Sequence, residues 1–220
     1  SHFAAGIAVS FEGMTRYFPK KRICYTGFPI RSNLNKKFSG DEFSKKNFTI
    51  LIMGGSQGAH TLNEKVVDVL CSFPEKDNIQ IIHLAGKSDT NMVKQKYMNA
   101  AIDALVFPFL KDIGKAYNAA DIAICRAGAA SCTELASFGI PAIFIPFPHA
   151  VSNHQFLNAK VAEKAGAAFL LEEKDLTHES LTELLDTMIS QKEKLNKMKD
   201  KMAALYNGNP AEKIASLVLK

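Results

Sequence analysis

Along this 220-residue chain, short unbroken apolar runs alternate with stretches in which apolar residues recur at three and four. The runs at residues 50–53 (ILIM), 79–85 (IQIIHLA), 104–109 (ALVFPF), 121–125 (DIAIC), 140–146 (IPAIFIP) and 167–171 (AAFLL) leave almost no wet face. That pattern predicts strands covered on both sides, as in a parallel sheet. Helical spacing is found at 59–70, where Leu62, Val66, Val69 and Leu70 share one side, and again at 93–101, 111–120, 131–139, 151–165, 177–188 and 193–206. A short amphipathic segment at 210–220 predicts a separate last helix. Two more short strands, 8–11 (AVSF) and 23–26 (ICYT), precede these elements, joined by a basic, aromatic link at 14–22. The polar stretch 32–47 predicts a linker and a domain boundary.

Strands alternating with helices at this interval make right-handed βαβ units, so the predicted fold is α/β with a doubly wound parallel sheet. Ligands of such sheets sit beyond the carboxyl ends of the strands. The residues falling there are Arg31, the turn 54–58, Phe109 and Leu110, the segment 126–134 and the segment 146–155.

Composition narrows the class. With 47% hydrophobic and 22% charged residues the chain is globular. Cys24, Cys71, Cys125 and Cys132 form no C-x-x-C pair and mostly lie in apolar or helical surroundings, which predicts buried thiols in a reducing cytosol rather than disulfides or zinc. No run approaches the ~18 apolar residues of a membrane span, and no signal peptide opens the chain. A cytoplasmic protein is expected. His83, inside the second long run, has no metal-type residue spaced to join it and reads as a core or edge histidine.

The net charge of +5 admits two readings. The basic residues Lys20, Lys21 and Arg22 and the lysines at 36–37, 45–46 and 192–201 suit solvated faces; they also suit anionic lipid head groups, which attract a basic residue by about 1 kcal/mol. No aromatic-interleaved basic stripe points to nucleic acid.

The turn Gly54-Gly55-Ser56-Gln57-Gly58 follows an apolar strand and precedes a helix. Free N–H groups and the positive end of the macrodipole make such a start a site for phosphate, and glycine lets the main chain approach an anion. The turn is neither G-x-G-x-x-G nor a Walker loop. By itself it is equally a turn that needs glycine for geometry. The segment Arg126-Ala127-Gly128-Ala129-Ala130 repeats the design after another strand.

Five segments in order, GFPIR at 27–31, GGSQGA at 54–59, RAGAASCTE at 126–134, GIPAIFIPFP at 139–148 and HQFLNA at 154–159, resemble the C-terminal half of the MurG family of bacterial N-acetylglucosaminyltransferases. The resemblance runs collinearly over nearly the whole chain. It implies the Rossmann-like C-terminal domain of a two-domain GT-B glycosyltransferase, with UDP-GlcNAc as donor and a lipid-linked muramyl-pentapeptide as acceptor. Gly55, Ser56 and Gln57 would hold the diphosphate, and Arg31 would stand at the interdomain hinge against the pyrophosphate leaving group. Leu110 would meet uracil through its backbone, with Phe109 beside it. Glu134 would accept the ribose hydroxyls, while Ala129, Ala130, Ser131, Cys132 and Thr133 would line the nucleotide-sugar cleft. Gln155, next to His154, would bind sugar hydroxyls.

Simpler roles stand beside these: a carboxylate favoured by the helix dipole for Glu134, a surface ion pair for Arg31, a helix start for His154 and Gln155, and packing for Asn158. The sequence departs from the family pattern at Phe28, Ala130, Cys132 and His154.

The family's N-terminal acceptor domain, with its expected catalytic base, has no counterpart beyond a remnant at 1–31, and the chain opens on Ser1-His2. The expected organisation is therefore a remnant and hinge at 1–31, a UDP-GlcNAc-binding domain at 32–209 and a crossing helix at 210–220, in a fragment that binds donor without turnover. No Asp-x-Asp occurs, so neither a metal nor a cofactor is expected, and the full enzyme is placed at the inner face of the cell membrane. A stand-alone donor-binding subunit and a UDP-sugar epimerase are the other readings.

Overall fold

The computed structural model describes residues 6–10, 22–31, 34, 47–55, 59–206 and 208–219. The predicted linker at 32–47 and the basic link at 14–22 lie almost wholly outside the described residues. So do Ser56, Gln57 and Gly58.

Two short strands, β1 (Ile7–Val9) and β2 (Ile23–Tyr25), pair in parallel as a sheet of their own. The main sheet comprises β3 (Phe48–Met53), β4 (Ile79–Leu84), β5 (Asp103–Phe107), β6 (Ile122–Cys125), β7 (Ala142–Phe144) and β8 (Ala168–Leu170). All neighbours are parallel, in the order β5-β4-β3-β6-β7-β8. The chain winds outward from β3 in one direction, then returns to its other side at β6. The switch point therefore lies between β3 and β6, where Met53 pairs with Cys125.

Each long apolar run serves two cores at once. Ile50 and Ile52 of β3, with Ile122 and Ile124 of β6, face one core; Leu51, Met53, Ala123 and Cys125 face the other. Alternation of side chains across the pleat explains why the runs lack polar positions. The first core packs against α1 (His60–Cys71), α2 (Thr90–Asn99), α6 (His178–Ser190) and α7 (Lys192–Ala204). The second packs against α3 (Ile113–Ala119), α4 (Ala129–Phe138) and α5 (His154–Lys164). Among the described residues ten buried alanines, including Ala116, Ala123, Ala136 and Ala159, belong to the second core and one, Ala85, to the first.

Some boundaries differ from the sequence reading. The helix expected from residue 131 starts at Ala129, because Gly128 takes the extended N-cap conformation and its carbonyl accepts the Cys132 N–H. It ends at Gly139, whose φ of 64° is left-handed, and the Ile140 N–H then closes back on Leu135. The strand expected over 140–146 shortens to β7, since its first two residues complete this cap. The single helix expected at 151–165 is broken: a 3₁₀ turn, Val151–Asn153, precedes α5, and Ser152 and Asn153 both have positive φ. α2 begins at Thr90, three residues before the expected start, with Val93 N–H bonded to Asp89.

The final helix, α8 (Pro210–Val218), lies by the small sheet: Leu217 comes within 3.2 Å of where a side chain on Gly6 would begin. Ile214 and Leu217 are half-buried and Val218 is exposed. On α7, Leu195, Met198 and Met202 are buried, while Lys192, Lys194, Lys197 and Lys201 face solvent. Among the described residues no helix is long and apolar enough to cross a membrane.

Inside the first core a polar chain is fully satisfied. Asn63 donates its amide hydrogens to the Ala85 carbonyl and Asp89, each at 2.8 Å, so its oxygen accepts from His83 Nε2 at 3.1 Å. The Tyr97 hydroxyl then donates to His83 Nδ1 at 3.0 Å. Asp89 also meets His60 at 3.0 Å, fastening the start of α1 to the junction after β4. Burial drives the His83 pKa from 6.5 down to about 3, so the ring is neutral in the folded state.

The unfolded chain therefore binds a proton that folded His83 refuses as pH falls through 6.5 towards about 3, and stability drops in that window. In urea unfolding between about pH 7 and pH 5, the native chain should lose up to about 1.4 kcal/mol per pH unit more than His83→Gln below the unfolded pKa. Equal pH slopes would contradict this account.

Candidate functional site

The site is built where β3 and β6 end together. After β3 the chain turns through Gly54, which is buried, and Gly55, which is exposed with φ of 95°. Among the described residues a side chain at Gly55 would meet nothing within 4 Å, so its left-handed conformation is what calls for glycine there. After β6, the Arg126 N–H bonds the Met53 carbonyl at 3.3 Å, joining the two turns.

Arg126 is buried, and its guanidinium works as a strut. Nη1 donates to the carbonyls of Ile145 and Pro146, both at 3.2 Å, and Nη2 pairs with Glu173 in the 3₁₀ turn Glu173–Asp175 after β8. Its charge lies 5.5 Å from the centre of the Phe147 ring. The Phe147 N–H in turn donates to Gln155 Oε1 at 3.0 Å. Through these bonds the loop between β7 and α5 is anchored to the ends of both β6 and β8.

The N-terminal turn of α4 carries Ala129, Ala130 and Ser131, half-buried and small, then Cys132 and Thr133, buried. Their size keeps the first amides of the helix close to the open side. Glu134, one turn in, has a side chain only 9% exposed. Its Oε2 accepts from the Tyr117 hydroxyl at 2.7 Å and its Oε1 from Arg31 Nη2 at 3.4 Å. Arg31 is half exposed, so Oε1 is the oxygen on the open side. Burial and the neighbouring Glu134 push Tyr117 well above the usual phenol range, which keeps it a donor. Burial also raises Cys125 to about 12 and Cys132 well above an ordinary thiol, so neither supplies a thiolate.

The residues singled out in the sequence divide as follows. Gly55 and the segment 129–134 follow the paired ends of β3 and β6, and Arg31 reaches the second of them through Glu134. Phe109 is 67% exposed past the end of β5, while Leu110 packs on the second core. His154 bonds the Val151 carbonyl at 2.7 Å and the Gln155 oxygen holds the loop ahead of it, so both order the start of α5. Asn158 packs: it is buried and donates to the Ala127 carbonyl at 3.0 Å. Beside the switch point a cavity of about 460 Å³ lies between Ser10 and Thr26 at the carboxyl ends of β1 and β2, Cys132 and Thr133 of α4, and Asn158 and Val161 of α5. Neither Glu134 nor Arg31 lines it, so the acid-cation pair and this cavity are adjacent features. Tyr117 and the Arg126–Glu173 strut were not read from the sequence; a tyrosine on an apolar helix and one acid among the three at 172–175 carry no local signal.

The model of the glycosyltransferase family 28 C-terminal domain matches residues 49–218. The chain belongs to glycosyltransferase family 28. The UDP-N-acetylglucosamine–N-acetylmuramyl-(pentapeptide) pyrophosphoryl-undecaprenol N-acetylglucosamine transferase of Myxococcus xanthus is 34% identical over 212 residues, 96% of this chain and 55% of that protein. The protein of the same name from Syntrophus aciditrophicus is 38% identical over 209 residues, 93% of this chain and 57% of that protein. MurG from Acinetobacter baumannii superimposes with a TM-score of 0.78 at 31% identity, covering 99% of this chain and 61% of that structure. The family 28 chain thus spans a little over half the length of the curated relatives it matches.

Because Arg126 is buried, removing its partner acid leaves an uncompensated charge. Glu173→Gln is expected to lower the unfolding free energy by about 3 kcal/mol in urea titrations, and adding Arg126→Met should recover part of that loss. A loss within about 0.5 kcal/mol for Glu173→Gln would show that the pair does not bear on stability.

Proposed function

We propose that this chain is the donor half of an inverting N-acetylglucosaminyltransferase, binding UDP-GlcNAc for transfer of GlcNAc to the C4 hydroxyl of lipid-linked N-acetylmuramyl-pentapeptide in peptidoglycan synthesis. The observation that carries the proposal is the meeting of Arg31 with Glu134 at 3.4 Å, beside the end of β3 and the N-terminus of α4. A nucleoside diphosphate sugar needs both signs of charge a few ångström apart: an acceptor for ribose hydroxyls and a donor surface for phosphate.

In this reading donor binding is an exchange of partners. The ribose hydroxyls take the open side of Glu134, and Arg31 turns to the diphosphate, whose oxygens also meet the turn after β3 and the first amides of α4. Each charge-assisted hydrogen bond contributes about 1.5–3 kcal/mol, enough to replace the long Arg31–Glu134 contact. Phe109 and Leu110 lie by the base, and Gln155 offers its amide to the sugar. As the acceptor hydroxyl attacks the anomeric carbon, negative charge grows on the departing UDP; helix amides and Arg31 stabilise it there. The base that takes the acceptor proton, and the acceptor site, are assigned to the part of the relatives that this chain does not match. The organisation proposed is a hinge through residue 31, a donor domain over 32–209 and a last helix that packs on the acceptor side. The lipid acceptor places the protein at the inner membrane face, where the exposed lysines of α7 would add attraction to anionic head groups.

Isothermal titration of this chain with UDP should show saturable binding that Glu134→Ala weakens at least tenfold, one hydrogen-bonded charge being worth that much. Chelation of divalent cations should leave the affinity unchanged. Transfer of GlcNAc to a lipid-linked acceptor by this chain alone would overturn the assignment of the base elsewhere, and absence of UDP binding would overturn the donor site.

A further inference from the structure

Glu134 has two oxygens in different surroundings. Oε2 points into the second core, where the Tyr117 hydroxyl meets it at 2.7 Å; Oε1 points to the half-exposed Arg31. A carboxylate at the end of three side-chain torsions would otherwise sample several orientations, each presenting a different edge to the cleft. The Tyr117 hydroxyl has one proton, and the 2.7 Å bond commits it to Glu134, leaving the Met53 sulfur, 3.8 Å away, a packing neighbour. The tyrosine is itself fixed: it is 2% exposed on α3, and its ring lies 5.1 Å from that of Phe138 on α4. An immobile donor on one helix thus sets the direction of an acid on the next.

We propose that Tyr117 is a positioning residue for nucleotide recognition, orienting Glu134 so that its open edge accepts the ribose 2′-hydroxyl, and that it thereby sets the discrimination of ribose from deoxyribose donors. The inference rests on the reading of Glu134 as the ribose acceptor. Tyr117 need not touch the nucleotide. It neutralises no charge, so the carboxylate stays a strong acceptor; it removes rotational freedom that ribose binding would otherwise have to freeze.

The test compares UDP with 2′-deoxy-UDP as titrants of the native chain, Tyr117→Phe and Phe138→Leu. The native chain should bind UDP about tenfold more tightly than 2′-deoxy-UDP, as the loss of one hydrogen bond to a charged group dictates. In Tyr117→Phe, which keeps the ring and the packing, UDP affinity should fall about tenfold while 2′-deoxy-UDP affinity changes less than about threefold, so the preference collapses. Phe138→Leu, which disturbs the same packing but leaves the hydroxyl, should lower the melting temperature and keep the preference. Equal losses for both titrants in Tyr117→Phe, or an unchanged preference, would overturn the positioning role. A native chain that binds UDP and 2′-deoxy-UDP equally would instead remove Glu134 from the 2′-hydroxyl, and the inference with it.

Discussion

The register of two neighbouring strands governs this molecule. Met53 and Cys125 lie side by side at the ends of β3 and β6, and from there the chain departs to α1 on one face and α4 on the other. Parallel pairing makes both strands end at the same rim, and the change of winding direction opens a crevice between the departing turns. A glycine turn, the start of α4 and the acid at Glu134 are neighbours for this reason alone. A slip of one residue in that ladder would exchange the two faces of β6, sending Ile124 into the alanine-rich core and Ala123 into the other.

Around the crevice, position is held by buried polar groups whose bonding leaves little freedom. Arg126 fixes the loop after β7 from beneath, the Asn63–His83–Tyr97 chain fixes the first turn of α1, and Tyr117 fixes the acid of α4. Hydrophobic packing decides which layer a helix joins, but it tolerates small sliding and rotation. Hydrogen bonds of fixed length and direction do not. The apolar cores supply cohesion, and these three groups supply the finer placement that a binding site needs.

The sequence made the layers legible because both-sided burial leaves an unmistakable apolar run, and each of the main sheet's six strands lies within or overlaps such a run. The strand-end motifs marked the rim. What could not be read is whatever depends on partners far along the chain: Tyr117 is 17 residues from Glu134, and Arg126 is 47 from Glu173. The break before α5 escaped for another reason. Helical spacing is continuous over 151–165, yet the backbone of Ser152 and Asn153 turns left-handed, a state open to Asn at small cost but invisible to periodicity. Of the two readings the sequence left for His83, core or edge, the structure shows the core one; its partners lie 14 and 20 positions away and leave no local pattern. The motif residues Ser56 and Gln57 remain expectations from sequence, outside the described part of the chain.

The unequal side-chain sizes on the two faces of the sheet have a consequence for how the protein can change. Isoleucine and leucine on the first face can trade a methylene for a new rotamer, so volume there can be redistributed among neighbours. Alanine has no rotamer to adjust. On the face that carries α4, where ten buried alanines sit among the larger residues, fewer side chains can absorb an enlargement, and a shift of α4 would carry Glu134 with it. Substitution should therefore be freer on the side away from Glu134, while the alanine positions around α4 are held to their smallest residues.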